Sequence, residues 1–92
     1  MRKIHKSVDL PNEAGCVVVF EWATGSKPDE NLACLDSDGH VKWTAKLPMG
    51  QPGDCYVAVA LEDDLIRASS MSGYAIWLDP RTGNVLRTQF TK

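Results

Sequence analysis

The sequence predicts an all-β fold of about eight antiparallel strands, arranged as two related sheets that pack as a sandwich or a small barrel. Three observations lead to this prediction. Runs of β-branched and aromatic residues alternate with turn residues along the chain. No stretch follows the spacing of an amphipathic helix for more than about one turn. The sequence also contains a degenerate internal repeat with a period of about forty residues.

The first half of the chain predicts four strands. Lys3–Leu10 alternates loosely, whereas Cys16–Trp22 is apolar on both faces, as a central strand is. Leu32–Leu35 and His40–Leu47 flank the segment Asp36–Gly39, and an Asp-Gly pair between apolar runs predicts a hairpin turn. In the returning strand, one face is expected to carry Val41, Trp43, Ala45 and Leu47.

The second half predicts four more strands, in the order Asp54–Leu61, Leu65–Ser70, Tyr74–Leu78 and Asn84–Phe90. Both faces of the first of these are expected to be largely buried, since it is apolar throughout. The connecting turns are Glu62–Asp64, Met71–Gly73 and Asp79–Gly83. The longest exposed loop is expected at Ala23–Asn31, which is polar and contains Gly25 and Pro28.

Length and charge exclude several classes of function. A chain of 92 residues predicts a single domain, residues 1–92, with room for one modest core. The net charge of −2 provides no field for a phosphate backbone, so nucleic acid is not an expected partner. The apolar runs are too short to span a membrane, and the basic N-terminus lacks the apolar segment of a signal peptide. We therefore expect a cytoplasmic protein that does not bind membranes.

The three cysteines, Cys16, Cys34 and Cys55, are expected to be reduced and to serve as small packing residues. An odd number cannot pair completely within one chain, and none of them shows the Cys-x-x-Cys spacing of a zinc site. The sequence therefore predicts neither a disulfide nor a metal centre built on cysteine.

The internal repetition predicts two units, at about 10–47 and 48–90. Leu35-Asp36 followed by Gly39 and Val41 parallels Leu78-Asp79 followed by Gly83 and Val85. In the same way, Leu10-Pro11 followed by Cys16–Val19 parallels Leu47-Pro48 followed by Cys55–Ala58. The first unit is shorter, and it is expected to have lost a strand in the loop at Ala23–Asn31.

These units resemble the β-propeller blade repeats of the PQQ-like, or quinoprotein, type. The resemblance rests on Leu65–Ser70, on Ser72-Gly73-Tyr74 and on the hairpin from Leu78 to Leu86, and Asp38–Trp43 is similar to the same hairpin with its tryptophan. It implies an ancestry in blade-like sheets. Arg87 stands where the second repeat would carry the corresponding tryptophan.

A whole propeller needs about four to eight blades, and this chain supplies at most two. A compact two-sheet domain is therefore the favoured packing, and a propeller-like oligomer is the alternative. Quinone binding in that family uses residues from many blades, so the resemblance implies no cofactor for this chain.

No catalytic or metal-binding residues are predicted. Asp36, Asp38 and Gly39 match part of a calcium-binding loop, but Leu47 stands where the loop needs a closing glutamate. Neither His5 nor His40 sits beside a set of serine, cysteine and carboxylate residues from which the sequence could indicate a triad. Ser69–Gly73 lacks the first glycine of a nucleophile elbow and has Met71 in the place of the serine.

The aromatic residues supply the candidate contacts for a partner. Tryptophan and tyrosine serve either as core residues or as anchors at protein interfaces. We predict partner contacts at Trp77, Tyr74 and Trp43. If Tyr74, Ile76 and Leu78 form the core face of their strand, Trp77 is expected to be exposed on the other face.

The sequence therefore predicts a non-enzymatic protein-binding or assembly module. Its partner would be another protein or a second copy of itself, joined by strand addition or by contact between surface patches. The alternative is a small-ligand or metal-binding β domain with a site in the loops around 36–39 and 48–54, including Asp36, Asp38 and Pro48–Asp54.

Overall fold

The computed structural model describes residues 3–22, 28–48 and 52–91. Within these ranges it contains eight strands, one 3-10 turn at Pro11–Glu13 and no α-helix. The strands are β1 (Ile4–Asp9), β2 (Cys16–Phe20), β3 (Leu32–Leu35), β4 (Val41–Thr44), β5 (Tyr56–Glu62), β6 (Leu65–Ser70), β7 (Tyr74–Leu78) and β8 (Val85–Phe90). The all-β fold predicted from the sequence is confirmed.

The strands form two separate antiparallel sheets of four strands each. Their orders are β1-β2-β3-β4 and β5-β6-β7-β8, so strands that follow each other in the chain are neighbours in each sheet. The described strands do not close into a barrel. The predicted arrangement in two sheets is therefore confirmed, and the barrel packing is excluded for this part of the chain.

The core lies between the two sheets, and alternate residues of the strands reach it. Val17 and Val19 of β2 are fully buried, as are Ile66, Ile76 and Leu78 of the second sheet. Burying an apolar side chain of this size stabilises the fold by about 1.5–3 kcal/mol. β2 lies between β1 and β3, as the apolar run at Cys16 predicts.

A buried asparagine joins the sheets at one end of the domain. The amide nitrogen of Asn31 donates to the carbonyl oxygens of Phe20 (2.7 Å) and Tyr56 (2.9 Å). Its amide oxygen accepts a hydrogen bond from the backbone N–H of Tyr56 at 2.8 Å. Because unpaired buried polar groups are costly, this side chain fixes the start of β5 against the first sheet.

A tryptophan joins the sheets at the other end. Trp43 of β4 donates a hydrogen bond from Nε1 to the carbonyl oxygen of Pro80 at 3.1 Å. Its six-membered ring lies on Gly83, where an added Cβ would collide with Trp43 Cε3. Gly83 also has a φ of +77°, so both the close approach and the backbone conformation require glycine.

The two hairpin turns that align in sequence occupy equivalent places. Asp36–Gly39 joins the third and fourth strands of the first sheet, and Asp79–Gly83 does the same in the second sheet. The other internal alignment matches Cys16–Val19 of β2 with Cys55–Ala58 at the start of β5, which hold different places in their sheets. Of the two sequence alignments, the one between the turns therefore joins structurally equivalent positions of the two sheets.

The unit at about 10–47 contains three described strands, one fewer than the unit at about 48–90, and β1 completes the first sheet. Two other expectations are wrong. Val41 is 60% exposed, since a β-bulge between β3 and β4 breaks the alternation that would place it with Trp43. β5 is buried only at its start, because it is an edge strand that pairs with β6 alone among the described strands. Of the predicted loop at Ala23–Asn31, residues 23–27 lie outside the described residues.

Candidate functional site

The last strand forms an exposed edge of the second sheet. β8 pairs with β7 and with no other described strand, and five of its six residues are exposed. Two large apolar side chains, Leu86 and Phe90, are each 55% exposed. We call Val85–Phe90 the β8 edge. The outward backbone N–H and C=O groups of such a strand can pair with an added strand.

Aromatic packing holds one end of the β8 edge. The rings of Phe90 and its cross-strand neighbour Tyr74 lie 5.1 Å apart at an interplanar angle of 58°. Tyr74 is half-buried and packs against the core. Phe90 is therefore held at a defined place while half of its surface stays open to a partner.

The outer face of the second sheet carries two arginines on a tryptophan. Trp77 lies on the side of β7 opposite the core residues Ile76 and Leu78. The Arg87 guanidinium carbon lies 4.0 Å from the centre of its indole ring, and that of Arg67 lies 5.6 Å away. We call Arg67, Trp77 and Arg87 the basic face.

A glutamate completes this cluster. Glu62 accepts a hydrogen bond from Trp77 Nε1 at 3.2 Å and lies 3.7 Å from Arg67 Nε. The Arg67 Nε atom is buried and has no hydrogen-bond partner in the part of the chain that the structure describes. With two arginines and one glutamate, the cluster is cationic, and guanidinium groups are suited to binding carboxylates in pairs of hydrogen bonds.

The three predicted partner residues do not form one patch. Trp43 is buried between the sheets, Tyr74 faces the core, and Trp77 lies on the outer face. The expectation that Trp77 would be exposed is wrong: the residue is only 7% exposed. Its predicted face is right, but the register places Arg87 directly across from it, and the arginine covers the ring.

The side chain of Asp36 stabilises the acidic turn Asp36–Gly39 of the first sheet. Asp36 Oδ1 accepts hydrogen bonds from the backbone N–H groups of Asp38 and His40, each at 2.9 Å. These bonds lower the pKa of Asp36. Ligand atoms of Asp36, Asp38 and His40 lie within 4.8 Å of one another, but the hydrogen bonds of Asp36 already explain its position.

Among the described residues, the two loops of the predicted site lie apart. Asp36 follows the end of β3, whereas Asp54 lies near its start, because Asp29 N–H donates to Asp54 O and Asn31 binds Tyr56. A strand advances about 3.3 Å per residue, which separates the two loops by the length of β3. Residues 49–51 of the segment Pro48–Asp54 lie outside the described residues.

Asp54 has a structural role at its own end. Its Oδ1 accepts hydrogen bonds from the backbone N–H groups of Cys55 and Ser72, and its Oδ2 accepts one from the Ser72 hydroxyl at 2.9 Å. Ser70 Oγ lies 3.0 Å from Ser72 Oγ and accepts a bond from Tyr74 N–H. The serine-rich segment thus closes the turn between β6 and β7.

The cysteines are free, and their thiols are held in the neutral form. Cys34 and Cys55 are 0% and 1% exposed, and Cys16 is half-buried. Burial raises the pKa of all three thiols above the ordinary value. Since the thiolate is the reactive form, these residues are poor nucleophiles at neutral pH.

A cleft opens between the sheets beside the Trp43 contact. It has a volume of about 460 Å³, within the usual range of small-ligand sites. Its lining combines apolar and charged residues, which are Leu10, Pro11, Ala14, Lys42, Leu61, Asp63, Asp64, Pro80 and Arg81. The Lys42 ammonium group donates to the carbonyl oxygen of Ala14 at 2.7 Å, which holds this charge at the first-sheet wall.

The sequence predictions missed Leu86, Phe90 and Arg67 as surface features. Position along the chain carried a usable signal, because the last strand of a meander lies at the edge of its sheet. The signal for the basic face was weaker. It depends on which residue stands opposite Trp77, and a bulge between Trp77 and Leu78 shifts that register.

Together, the fold and these surfaces define a small all-β domain of two meander sheets with an open edge strand. The chain belongs to the family described as Domain of unknown function (DUF7957), whose sequence profile matches residues 2–90. Comparisons with curated proteins and with solved structures gave no match. Among the described residues, no helix has the length and hydropathy to cross a membrane.

Proposed function

We propose that this chain is a non-enzymatic protein-binding module that accepts a partner strand along the β8 edge. The observation that carries the proposal is the exposure of β8, a six-residue edge strand with Leu86 and Phe90 each 55% exposed. Backbone pairing would supply affinity, and the two apolar side chains would select the partner's side chains.

The other edges are less suited to strand addition. β4 has only four residues and a bulge in its pairing with β3. It also carries Lys42, and short, bulged or lysine-bearing edges resist pairing. β5 contacts β1 and β2 of the first sheet, so the β1 edge and the β5 edge lie against each other within the domain. β8 is therefore the favoured edge.

Several features support a role without catalysis. Burial favours the neutral thiol at all three cysteines. His5 makes an edge contact with Trp22, with the ring centres 4.9 Å apart, and His40 lies 3.7 Å from Asp36 at the acidic turn. The described contacts of the two histidines are thus explained by packing and turn formation.

The ancestry in PQQ-like blade repeats is part of this proposal. Each sheet is a four-stranded meander, and the equivalent turns lie between the third and fourth strands of both. The docking of Trp43 on Gly83 is also consistent with related units packed side by side.

The proposal is tested by partner capture followed by reassembly from purified components. The tagged chain is compared with a Leu86→Lys, Phe90→Lys variant and with a matched control, Ile4→Lys, Val41→Lys, in which the replaced residues are 52% and 60% exposed. Calorimetric titration of the purified partner should show a loss of at least about tenfold in affinity for the β8 variant, or roughly 1.4 kcal/mol. Equal binding by all three proteins, or no partner for the wild type, would overturn the proposal.

A second candidate function, small-ligand binding, is favoured by the cleft between the sheets rather than by the predicted loops. Its probe is 1-anilinonaphthalene-8-sulfonate, whose fluorescence rises in an apolar site. Leu61→Glu places a charge in the cleft lining and should abolish the rise, whereas Met71→Glu, at a comparably exposed residue outside that lining, should preserve it. An equal signal from both variants would exclude the cleft.

A further inference from the structure

The contact between the sheets joins a side chain of one sheet to the turn of the next. Trp43 lies four residues after Gly39 in the first sheet and packs on Gly83 of the second. By the equivalence of the turns, Arg87 holds the position of Trp43 in the second sheet. Trp43 pairs with Cys34 of the third strand, and Arg87 pairs with Trp77 in the same way.

The two glycines differ in what lies on them. An added Cβ at Gly83 would collide with Trp43, whereas at Gly39 it would meet no atom of the described residues within 4 Å. Both glycines have a positive φ, +84° at Gly39 and +77° at Gly83. The first sheet therefore presents the same kind of turn surface, and no described residue of the chain occupies it.

The surface beside Gly39 is acidic. A depression of about 500 Å³ on the first sheet is lined by Asp9, Leu10, Gly15, Cys16, Asp36 and Ser37. Its lining contains two carboxylates and no basic residue, and outside the lining the basic residues His40, 3.7 Å from Asp36, and Lys42 interact with the Asp36 carboxylate. Val8 and Val17 pack toward the core, so their neighbours Asp9 and Cys16 face outward, away from the second sheet.

The basic face has the opposite charge and also points outward. Arg67 lies between the core residues Ile66 and Ala68, and Arg87 lies across from Trp77. The side chain of Arg67 is 42% exposed, and Arg87 is exposed. Arginine both stacks on planar groups and pairs with carboxylates, which suits a surface made of a glycine turn and two aspartates.

We propose that the basic face of one copy docks on the outer face of the first sheet of a second copy, with Arg87 beside Gly39 and near Asp9 and Asp36. This inference rests on the proposed binding function and adds a second copy of the chain as a partner. It uses the outward side chain of Arg87 and leaves the outer backbone groups of β8, with Leu86 and Phe90, available to a partner strand. Within one chain, Trp43 of the first sheet packs on Gly83 of the second. The proposed contact between chains repeats this arrangement, with Arg87 of one copy on Gly39 of the next.

Such a contact is head-to-tail, because the two surfaces differ. Each copy keeps one free basic face and one free acidic depression, so assembly continues beyond a dimer into a closed ring or an open chain. The attraction between exposed charges weakens with salt, since the Debye length falls from about 10 Å at 0.1 M to about 3 Å at 1 M.

The test is sedimentation velocity of the purified chain at concentrations from about 1 µM to about 1 mM, the range of weak to moderate affinities. The wild type should show a rising sedimentation coefficient at low salt and lose it near 1 M salt. Arg87→Glu and Asp9→Arg should each remain monomeric, and the double variant Asp9→Arg, Arg87→Glu should assemble again. Arg81→Glu, which reverses an exposed arginine outside the basic face, should behave as the wild type.

Either of two results would overturn the inference: a wild type that stays monomeric throughout the series, or an Arg87→Glu variant that assembles as the wild type does. Circular dichroism of each variant separates loss of assembly from loss of folding, and recovery in the double variant requires folded protein. A negative result in this test would not contradict the proposed binding of a partner strand at the β8 edge. The titration of the purified partner against the Leu86→Lys, Phe90→Lys variant answers that separate question.

Discussion

The indole ring of Trp43 rests on Gly83, and its Nε1 donates to the carbonyl oxygen of Pro80 at 3.1 Å. One side chain of the first sheet thus meets the backbone of the second. The contact needs the β7–β8 turn to present a bare peptide surface, and that turn needs a residue with positive φ. Glycine satisfies both demands at one position.

We expect Gly83→Ala to destabilise the domain far more than Gly39→Ala. Both changes place alanine at a positive φ, which costs about 1–2 kcal/mol. Only the change at Gly83 drives a methyl group into the Trp43 ring, and such overpacking adds roughly 1–3 kcal/mol. Urea denaturation measures the difference, and equal losses from the two variants would contradict the docking of Trp43.

We expect Asn31→Ala to lower the free energy of unfolding by several kcal/mol. The change leaves the backbone N–H of Tyr56 without its side-chain partner and removes two donors from carbonyl oxygens. Each buried group left unpaired costs about 1–3 kcal/mol. Asn84→Ala is the control at an exposed turn position, where a change stays within about 0.5 kcal/mol. Comparable losses in chemical denaturation would show that Asn31 does not join the sheets.

The strands were predictable because their signals are local. Leu65–Ser70 and Tyr74–Leu78 have the predicted bounds, since turn residues stand directly at their ends. Asp36 and Gly39 could likewise be assigned to a hairpin turn from their own chemistry.

The surfaces were not predictable, because they depend on relations between distant residues. Trp77 is covered only because the pairing of β7 with β8 sets Arg87 opposite it. Val41 is exposed because of a bulge between β3 and β4, and no residue of β4 itself indicates that bulge. The separation of Asp36 from Asp54 was not predictable either, because only the topology places them at opposite ends of β3.

We expect stability to fall as the pH rises above about 8.5, where thiols in an unfolded chain begin to ionise. Burial raises the pKa of Cys16, Cys34 and Cys55, so the folded protein retains protons that the unfolded chain releases. Stability therefore falls with pH. Burial also raises the pKa of Tyr56, which extends the fall above about pH 10.

Urea denaturation at a series of alkaline pH values measures this slope. Cys55→Ala removes one buried thiol and should flatten the slope, whatever the packing change does to the stability at neutral pH. An unchanged slope in the variant would show that Cys55 is not part of the alkaline effect.

We expect calcium, zinc and a chelator to leave the thermal midpoint unchanged. Asp36 Oδ1 is occupied by two backbone N–H groups, and the His40 side chain is 80% exposed. A ligand that binds only the folded state raises stability by about 2.7 kcal/mol at a concentration one hundred times its Kd. A midpoint that rises with one metal in the wild type, and not in Asp38→Asn, would place a metal site at this turn.

We expect Arg87→Ala to expose Trp77 without unfolding the sheet. The guanidinium carbon of Arg87 lies 4.0 Å from the centre of the indole ring, whereas that of Arg67 lies 5.6 Å away. Loss of Arg87 should increase the quenching of tryptophan fluorescence by acrylamide, because more of the ring meets solvent. Exposed cation–π contacts stabilise by only about 0.5–1 kcal/mol, so the circular dichroism spectrum should be unchanged. Arg81→Ala is the matched control, and equal quenching of the two variants would show that Arg87 does not shield Trp77 in solution.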